Sequence, residues 1–301
     1  MFVADNVRID SHGAPVIEQL TVETTGTNVV VLGAPQVLFD TCAGMHDVTG
    51  GTLTIAGMHP HDAVRAGALA SAPADVTLPP RWTILELARE SARLAGHPRR
   101  ELKARAITAL RALQLDALRQ TRLGAAEPAV KRAAVLAAAL ATGAETLLVG
   151  DFTTGLPDAA ARALAKLFVT ACVGKRWILF AGHLSLSSPF GLHADEALVF
   201  AGGRLVHSGS PAEIATRDRT YSVRIAGEGA PAFATALRER GVLVNGSAAD
   251  GTSRTPSDDA HDAHALTVTL PAELSTLELV TMARAGNVVV VELLPVSDAL
   301  T

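Results

Sequence analysis

The sequence predicts an α/β fold with a parallel core, an antiparallel β layer, a helical insertion and a small α+β domain at its C-terminal end. Two observations support this prediction. Short apolar runs typical of buried strands, such as 29–32 and 146–149, alternate with segments of helical periodicity. After Arg217 the character changes and a second, shorter set of strands and helices follows. We therefore expect two domains, 1–216 and 217–301.

The chain begins with a predicted antiparallel pair. Residues 2–9 and 19–23 have β-branched, partly alternating character, and the segment His12-Gly13-Ala14-Pro15 forms the turn between them. The next predicted elements are a buried strand over 29–32, a short helix over 38–45 packed on it, and a strand over 52–55 that follows Gly50-Gly51. This order predicts an early mixed sheet.

Helical spacing of apolar residues then predicts an insertion of three helices at about 83–140. Thr83 is a plausible N-cap, and Glu86 three residues later completes a capping box. Pro98 separates the first two helices, 83–95 and 101–114. Pro128 lies in the first turn of the third helix, which continues to about Leu140.

Strands and helices then alternate to the end of the first domain. The predicted elements are a strand over 146–149, a helix over 159–172, a strand over 177–181, and a hairpin of 197–200 with 204–207. The second domain is predicted as a β-α-β-α-β module with elements 221–225, 231–240, 266–270, 272–285 and 288–293. Between the second and third of these elements, residues 245–264 are rich in Gly, Ser, Asp and Ala. This composition predicts a flexible loop, in which His261 and His264 are solvated.

Composition excludes several classes of function. Of 301 residues 49% are hydrophobic, which suffices for packed cores, and the formal net charge is -4. The 26 basic residues are scattered, so the sequence predicts no nucleic-acid partner. Cys42 and Cys172 lie in apolar stretches and are expected to be buried thiols rather than a disulfide. Free thiols are typical of a reducing compartment, so we expect a cytoplasmic protein. The sequence shows neither a signal segment nor a membrane-spanning one.

Five segments, taken in order, carry a resemblance to a known family. Residues 44–57 are similar to the stretch after a phosphate loop, 146–151 to a Walker B strand, 155–158 to a D-loop, 177–183 to the strand that leads to a switch histidine, and 204–214 to a closing hairpin. In this order, residues 1–216 resemble the ATP-binding subunit of an ABC transporter. Residues 217–301 resemble the accessory domain of ABC-2 type exporters. The resemblance implies a P-loop NTPase-like (ABC ATPase) core, and in the family such subunits bind ATP and Mg²⁺ and attach to a membrane-spanning subunit.

The phosphate loop of that family is degenerate in this chain. Its position reads Gly33, Ala34, Pro35, Gln36 and Val37, with one glycine and no Lys, Ser or Thr. A loop that binds phosphates needs glycines to direct backbone N–H groups inward, a lysine for the phosphates and a hydroxyl for Mg²⁺. From Gly33 to Gly44 there are 12 residues, about one helical turn fewer than the family pattern. No aromatic residue lies between Phe2 and Phe39 to stack on adenine.

The other chemical positions of the family have also changed. Ala74 lies at the Q-loop glutamine, and Phe152 replaces the glutamate that serves as general base. The signature that contacts the γ-phosphate across a dimer has become a degenerate segment that contains Ala126, Glu127, Pro128, Ala129 and Val130. Asp151 and His183 keep their family identity. Without a phosphate loop beside them, they are interpreted as a turn-capping carboxylate and a strand-end histidine.

The combined losses predict a catalytically degenerate subunit that binds no ATP, Mg²⁺ or other cofactor. It acts as a structural or regulatory partner of a membrane-spanning transporter subunit, cytoplasmic and peripheral on the inner face of the membrane, either as a homodimer or beside a second ABC-type subunit. Two alternatives stay open. One is an ABC-2 type ATPase that hydrolyses ATP with unconventional residues and so requires ATP and Mg²⁺. The other is a soluble module that senses a ligand.

Overall fold

The computed structural model describes residues 2–182, 184, 188–217, 220–227, 229–245, 263–271 and 274–295. The chain divides into two compact units, Met1–Pro211 and Ala212–Thr301. The sequence placed this division after residue 216. The helix Pro211–Arg217 spans both positions, so the predicted boundary after 216 stays a prediction.

The first unit alternates strands and helices, as the sequence predicts. Its elements in chain order are β1 (Phe2–Ser11), β2 (Ala14–Glu23), β3 (Asn28–Leu32), α1 (Gln36–Cys42), β4 (Gly50–Ile55), α2 (Pro60–Arg65), β5 (Leu69–Ala72), α3 (Ile84–Leu94), α4 (Arg99–Ala112), α5 (Pro128–Ala141), β6 (Thr146–Val149), α6 (Asp158–Ala171), β7 (Arg176–Ala181), α7 (Pro189–His193), β8 (Glu196–Ala201) and β9 (Arg204–Gly209). Short 3-10 turns, Asp116–Leu118 and Leu123–Ala125, lie between α4 and α5.

Two sheets form this unit. The larger has the order β5-β6-β7-β3-β8-β9, in which the first five strands are parallel and β9 pairs antiparallel with β8. The smaller is antiparallel, with the order β2-β1-β4. Helix α1 lies in the core between them, where Phe39 meets Phe180 edge to face with ring centroids 5.5 Å apart. The carboxyl ends of β3, β6 and β7 open at one edge of the larger sheet, the place where ligands bind in open α/β folds.

The helical insertion forms as predicted. The Thr83 hydroxyl accepts from the Glu86 amide at 3.2 Å, and the Glu86 carboxylate accepts from the Thr83 amide at 2.7 Å, which confirms the capping box. The Glu86 carboxylate also accepts from the Thr83 hydroxyl at 3.1 Å, and the two bonds that Thr83 donates to this carboxylate hold the pKa of Glu86 below its ordinary value. Alanines at the contact between α3 and α5, including Ala88 and Ala134, are fully buried and allow the two helices to approach closely.

The second unit has the split β-α-β arrangement. Its elements are α8 (Pro211–Arg217), β10 (Thr220–Ala226), α9 (Ala230–Glu239), β11 (Leu243–Asn245), β12 (Ala263–Thr269), α10 (Thr276–Ala285) and β13 (Val289–Pro295). The antiparallel order β11-β12-β10-β13 makes a β-α-β-β-α-β module, one strand more than predicted. The additional strand, β11, has only three residues, too few for a readable periodicity. Asn245 ends β11, and 263–264 begin β12, so these ends of the predicted loop are strands; residues 246–262 lie outside the described residues.

Two predictions from composition can be examined in the structure. Within the described part of the chain, no helix is both long and apolar enough to cross a membrane. Cys42 and Cys172 are free and buried, as predicted. Burial raises the pKa of the Cys172 thiol to about 12 and that of Cys42 as well, so both thiols are protonated and unreactive at neutral pH.

Candidate functional site

A cleft of about 620 Å³ lies at the carboxyl ends of the parallel strands, and we call it the strand-end cleft. It is lined by Ala34, Gln36, Phe39, Pro73, Ala74, Asp75, Gly150, Asp151, Thr154, Phe180, Ala181 and Gly182. Among these described residues, the charged side chains are two carboxylates, and no lysine, arginine or histidine is present. The local charge is therefore negative, which opposes an anionic ligand.

The loop that opens the cleft is short. Only Gly33, Ala34 and Pro35 separate the end of β3 from the start of α1. Gly33 has φ +66°, and a Cβ at this position would lie 2.6 Å from the carbonyl oxygen of Phe200 on the neighbouring strand. This glycine is therefore required by the close approach of two backbones. A phosphate-binding loop of the pattern G-x-x-x-x-G-K has about five residues between its first glycine and its lysine, so this loop is too short to surround a phosphate group.

Two of the five residues 33–37 have no free backbone N–H, and the next residue, Leu38, is also bonded. The Gly33 N–H donates to the Ala181 carbonyl at 3.0 Å, and the Leu38 N–H donates to the Pro35 carbonyl at 2.9 Å. Pro35 has no N–H and precedes α1 without a side-chain cap. The Gln36 amide group donates to the Asp40 carboxylate at 3.0 Å along α1. Among the described hydrogen bonds, the N–H groups of Ala34, Gln36 and Val37 are the backbone donors left at the position of the phosphate loop.

Asp151 caps the turn that follows β6. Its carboxylate accepts from the amides of Thr153 and Thr154, both at 3.0 Å, and from their hydroxyls at 2.8 and 2.5 Å. Burial acts to raise the pKa of Asp151, but these four hydrogen bonds together lower it below its ordinary value. The carboxylate is ionised, and its four hydrogen bonds lie within its own turn.

Phe152 does not face the cleft. Its side chain is 2% exposed and its ring packs against Phe168 and Phe190, each with centroids 5.4 Å away. Both neighbours belong to helices that cover the sheet, α6 and α7. The position at which the ABC family carries its general base is therefore part of the hydrophobic core here, where no attacking water can be activated.

The degenerate signature segment lies away from the strand-end cleft. Ala126 is buried, Glu127 precedes α5 without a side-chain capping bond, and Pro128 begins the helix, while Ala129 and Val130 belong to its first turn. None of the five lines the strand-end cleft. Arg132 joins the two regions because its Nη1 donates to the carbonyls of Phe152, at 3.0 Å, and Thr154.

The structure thus brings together part of the predicted set. Ala34, Gln36, Ala74 and Asp151 line the strand-end cleft, whereas Gly33, Pro35 and Val37 do not. His183 lies outside the described residues. Among those described, no group of three or more His, Cys, Asp or Glu side chains could hold a metal ion.

Asp75 was missed by the sequence reasoning. It follows β5, a strand of Leu, Ala and Ser that the sequence did not predict, and it adds a second carboxylate to the cleft. Its neighbour Ala74 lies close to Gly150, where a Cβ would approach the Ala74 nitrogen to 2.7 Å. Gly150, the glycine that follows β6, was the sequence signal that another backbone passes close by.

No protein-family model matches the sequence, and no curated protein matches it. Solved structures are similar in fold. An ATP-binding subunit of an ABC transporter has TM-score 0.62 and 17% identity, with 72% of this chain and 92% of that chain covered. The cbiO1 protein of Clostridium perfringens, part of the ABC transporter complex cbiONQ, has TM-score 0.61 and 16% identity, with 72% and 90% covered. A putative metal-chelate type ABC transporter in an inward-facing conformation has TM-score 0.60 and 14% identity, with 88% and 96% covered. The chain therefore has the α/β, P-loop NTPase-like fold of ABC transporter ATP-binding subunits.

Proposed function

We propose that this chain is a catalytically degenerate ABC-type subunit that neither binds nor hydrolyses ATP and serves as a structural or regulatory partner in a membrane transport complex. The fold is that of ATP-binding subunits, and two similar structures are described as a transporter or as part of a transporter complex. The observation that carries the proposal is the strand-end cleft, lined by two carboxylates and by no described cation.

Electrostatics make this cleft unfavourable for a nucleotide. A polyphosphate would meet Asp75 and Asp151 with like charge, at a position where the family places a lysine and a ring of amides. Mg²⁺ could neutralise part of this repulsion, but the five residues 33–37 offer neither a hydroxyl for the ion nor a lysine for the phosphates. Phosphoryl transfer depends almost wholly on such positioning and charge stabilisation, so its loss removes the reaction.

Catalysis would fail even if a nucleotide reached the cleft. Phe152 occupies the position of the general base and is buried among Phe168 and Phe190. An apolar ring cannot accept a proton from water. The alternative is an ABC-2 type exporter ATPase that uses unconventional residues, and it requires another general base. In the described part of the strand-end cleft, the candidates are Asp75 and Asp151, and the Asp151 carboxylate already accepts four hydrogen bonds.

A groove of about 370 Å³ provides a surface for the membrane partner, and we call it the docking groove. It lies between the sheet core and the helical insertion. Its apolar lining includes Val64, Leu69, Leu87, Leu94, Val135 and Ala139. Leu94 is 73% exposed and Val64 41% exposed, so apolar surface here faces water in the isolated chain. We propose that a short apolar helix from the cytoplasmic side of the membrane-spanning subunit occupies it, which would make this chain peripheral on the inner face of the membrane.

Leu94→Glu tests the docking groove. The side chain is exposed, so the variant should fold, but a carboxylate would lie on the apolar groove. Leu192→Glu is the matched control, since Leu192 is 71% exposed on α7 and does not line the groove. Each tagged variant is purified from native membranes in mild detergent. We expect a polytopic membrane protein to co-purify with wild type and Leu192→Glu and to be lost with Leu94→Glu. Equal recovery with both variants would contradict the docking groove.

A further inference from the structure

A second cleft, of about 650 Å³, lies where the segment after β5 meets the start of α5, and we call it the insertion cleft. It adjoins the strand-end cleft, since both include Ala74 and Asp75. Its volume is within the range of about 300–1,000 Å³ typical of small-molecule sites. It is lined by Ala74, Asp75, Val76, Thr77, Leu78, Pro80, Leu123, Gly124, Pro128, Lys131, Arg132 and Val135.

One part of the insertion cleft is apolar. Val76 and Leu78 come from the segment after β5, Leu123 from the 3-10 turn before α5, and Val135 from the second turn of that helix. Val76 is 42% exposed and Leu78 is half-buried, so this surface is accessible from water. A hydrocarbon chain or an aromatic ring that covered these side chains would gain hydrophobic free energy.

The other part of the insertion cleft carries two half-buried cations, Lys131 and Arg132. Within the described part of the chain, neither has a carboxylate partner within ion-pair distance. Arg132 uses Nη1 for the carbonyls of Phe152 and Thr154, which leaves its Nε and Nη2 donors. A cation partly withdrawn from water without a counter-ion is unfavourable, and an anionic ligand would relieve that cost.

The charge of the insertion cleft differs from that of its neighbour. Its described charged side chains are Lys131, Arg132 and the exposed Asp75, which leaves one net positive charge. The strand-end cleft has Asp75 and Asp151 and no described cation, which leaves two negative charges. Anion-binding capacity is therefore found in the insertion cleft, one cleft away from the position where the family binds phosphates.

We propose that the insertion cleft binds an amphiphilic anion, a phosphate or carboxylate head group attached to an apolar chain or ring. The head group lies against Lys131 and Arg132, and the apolar body covers Val76, Leu78 and Val135. Because Arg132 also holds the turn that follows β6, the bound ligand stabilises that turn against α5. This makes the chain a ligand-responsive subunit, which goes beyond the proposed docking role. Val76, Leu78 and Val135 also line the docking groove, so the ligand and the docked helix would meet at these side chains.

Decyl phosphate below its micelle concentration is a suitable probe, because it carries both chemical parts. Its affinity for the full chain is measured by isothermal titration, beside decanol and inorganic phosphate. We expect saturable binding of decyl phosphate, at least about tenfold tighter than either fragment, because each fragment satisfies only one part of the cleft. Equal affinity for decanol or for inorganic phosphate, or no saturable binding of decyl phosphate, would overturn the proposal.

Three variants locate the binding. Lys131→Gln removes a cation that has no described hydrogen bond and should weaken decyl phosphate binding at least about fivefold. Val76→Asp places a carboxylate in the apolar part of the cleft, where the ligand's apolar body lies, and should abolish binding of decyl phosphate. Lys103→Gln removes an exposed lysine of α4 outside the cleft and should change nothing. Circular dichroism confirms that each variant folds. An unchanged affinity in Lys131→Gln, or binding to phosphatidylglycerol vesicles without binding to monomeric decyl phosphate, would refute the cleft; the second outcome would assign the cations to a membrane surface.

Discussion

Truncation of Phe152 tests whether the residue at the catalytic-base position belongs to the core. The ring is 2% exposed and makes two aromatic contacts, with Phe168 and Phe190, at 5.4 Å each. Each aromatic pair contributes about 0.5–1.5 kcal/mol beyond its buried area. Removal of a buried phenylalanine side chain costs about 3–5 kcal/mol, because the transfer free energy is lost and a cavity remains. We therefore expect Phe152→Ala to lower the free energy of unfolding by about that amount.

The change should be visible in the thermal midpoint. For a unit of about 200 residues, 1 kcal/mol shifts Tm by about 2–4 °C, so Phe152→Ala should lower Tm by about 6–20 °C. Trp177 reports this unfolding, since its ring lies 6.0 Å from Phe190 and 6.3 Å from Phe168. Near-ultraviolet circular dichroism during heating and urea titration measures both quantities.

Three further variants are compared with Phe152→Ala. Phe152→Leu keeps most of the buried volume and should cost only about 1–2 kcal/mol. Trp82→Ala truncates an aromatic side chain that is 38% exposed and should cost less than Phe152→Ala. Phe152→Glu, which restores the family's base, should destabilise the chain severely without ATPase activity, because it buries a carboxylate. A cost below about 1 kcal/mol for Phe152→Ala would refute the assignment of this ring to the core.

Three further predictions concern the strand-end cleft and the strands that form it. Urea titration should show that the free energy of unfolding of Asp151→Asn depends less on pH at acid pH than that of the wild type. The folded pKa of Asp151 lies below its ordinary 3.8. The carboxylate's contribution to the free energy of unfolding is therefore present above about pH 4 and is lost as the pH falls through the folded pKa. An unchanged acid profile would contradict this. Gly33→Ala should lower Tm by several degrees, because Gly33 has φ +66° and the added Cβ would lie 2.6 Å from a β8 carbonyl oxygen. Gly182→Ala is the control and should be neutral, since no atom lies within 4 Å of the added Cβ. Equal Tm values for the two variants would contradict this prediction. Asp195→Ala should cost about 1–3 kcal/mol and speed hydrogen exchange of the two amides at the start of β3 that its carboxylate accepts at 2.9 Å; unchanged exchange would show that these bonds contribute nothing.

Strong periodicity and cap chemistry made most of the first unit predictable. The buried strand β3 and the helices α3 to α5 form where apolar spacing, Thr83 and Pro128 indicated them. The strand β5 was missed because its sequence, Leu-Ala-Ser-Ala, has little of the β-branched or aromatic character of strands. That strand is stabilised by its parallel pairing with β6, a tertiary contact that local sequence does not encode.

The sequence predicted the properties of the candidate site only where the absence of a residue type rules out a function, such as phosphate binding. The lack of lysine and hydroxyl at 33–37 is visible in the sequence. The burial of Phe152 was not, because it depends on Phe190 of α7, a helix that the sequence did not predict. The second carboxylate of the cleft, Asp75, likewise needed the position of β5 beside β6. The insertion cleft depends on side chains from three separate segments and has no sequence signal of its own.

The central claim is that the strand-end cleft has lost nucleotide binding altogether. Isothermal titration of the purified full chain with Mg-ATP, continued to millimolar nucleotide, measures this directly. We expect no saturable heat and therefore no dissociation constant below about 1 mM, because the cleft presents two carboxylates and no described cation to the phosphates. Saturable binding with a dissociation constant on the order of 10 μM would contradict the account and would favour an ATPase that uses unconventional residues.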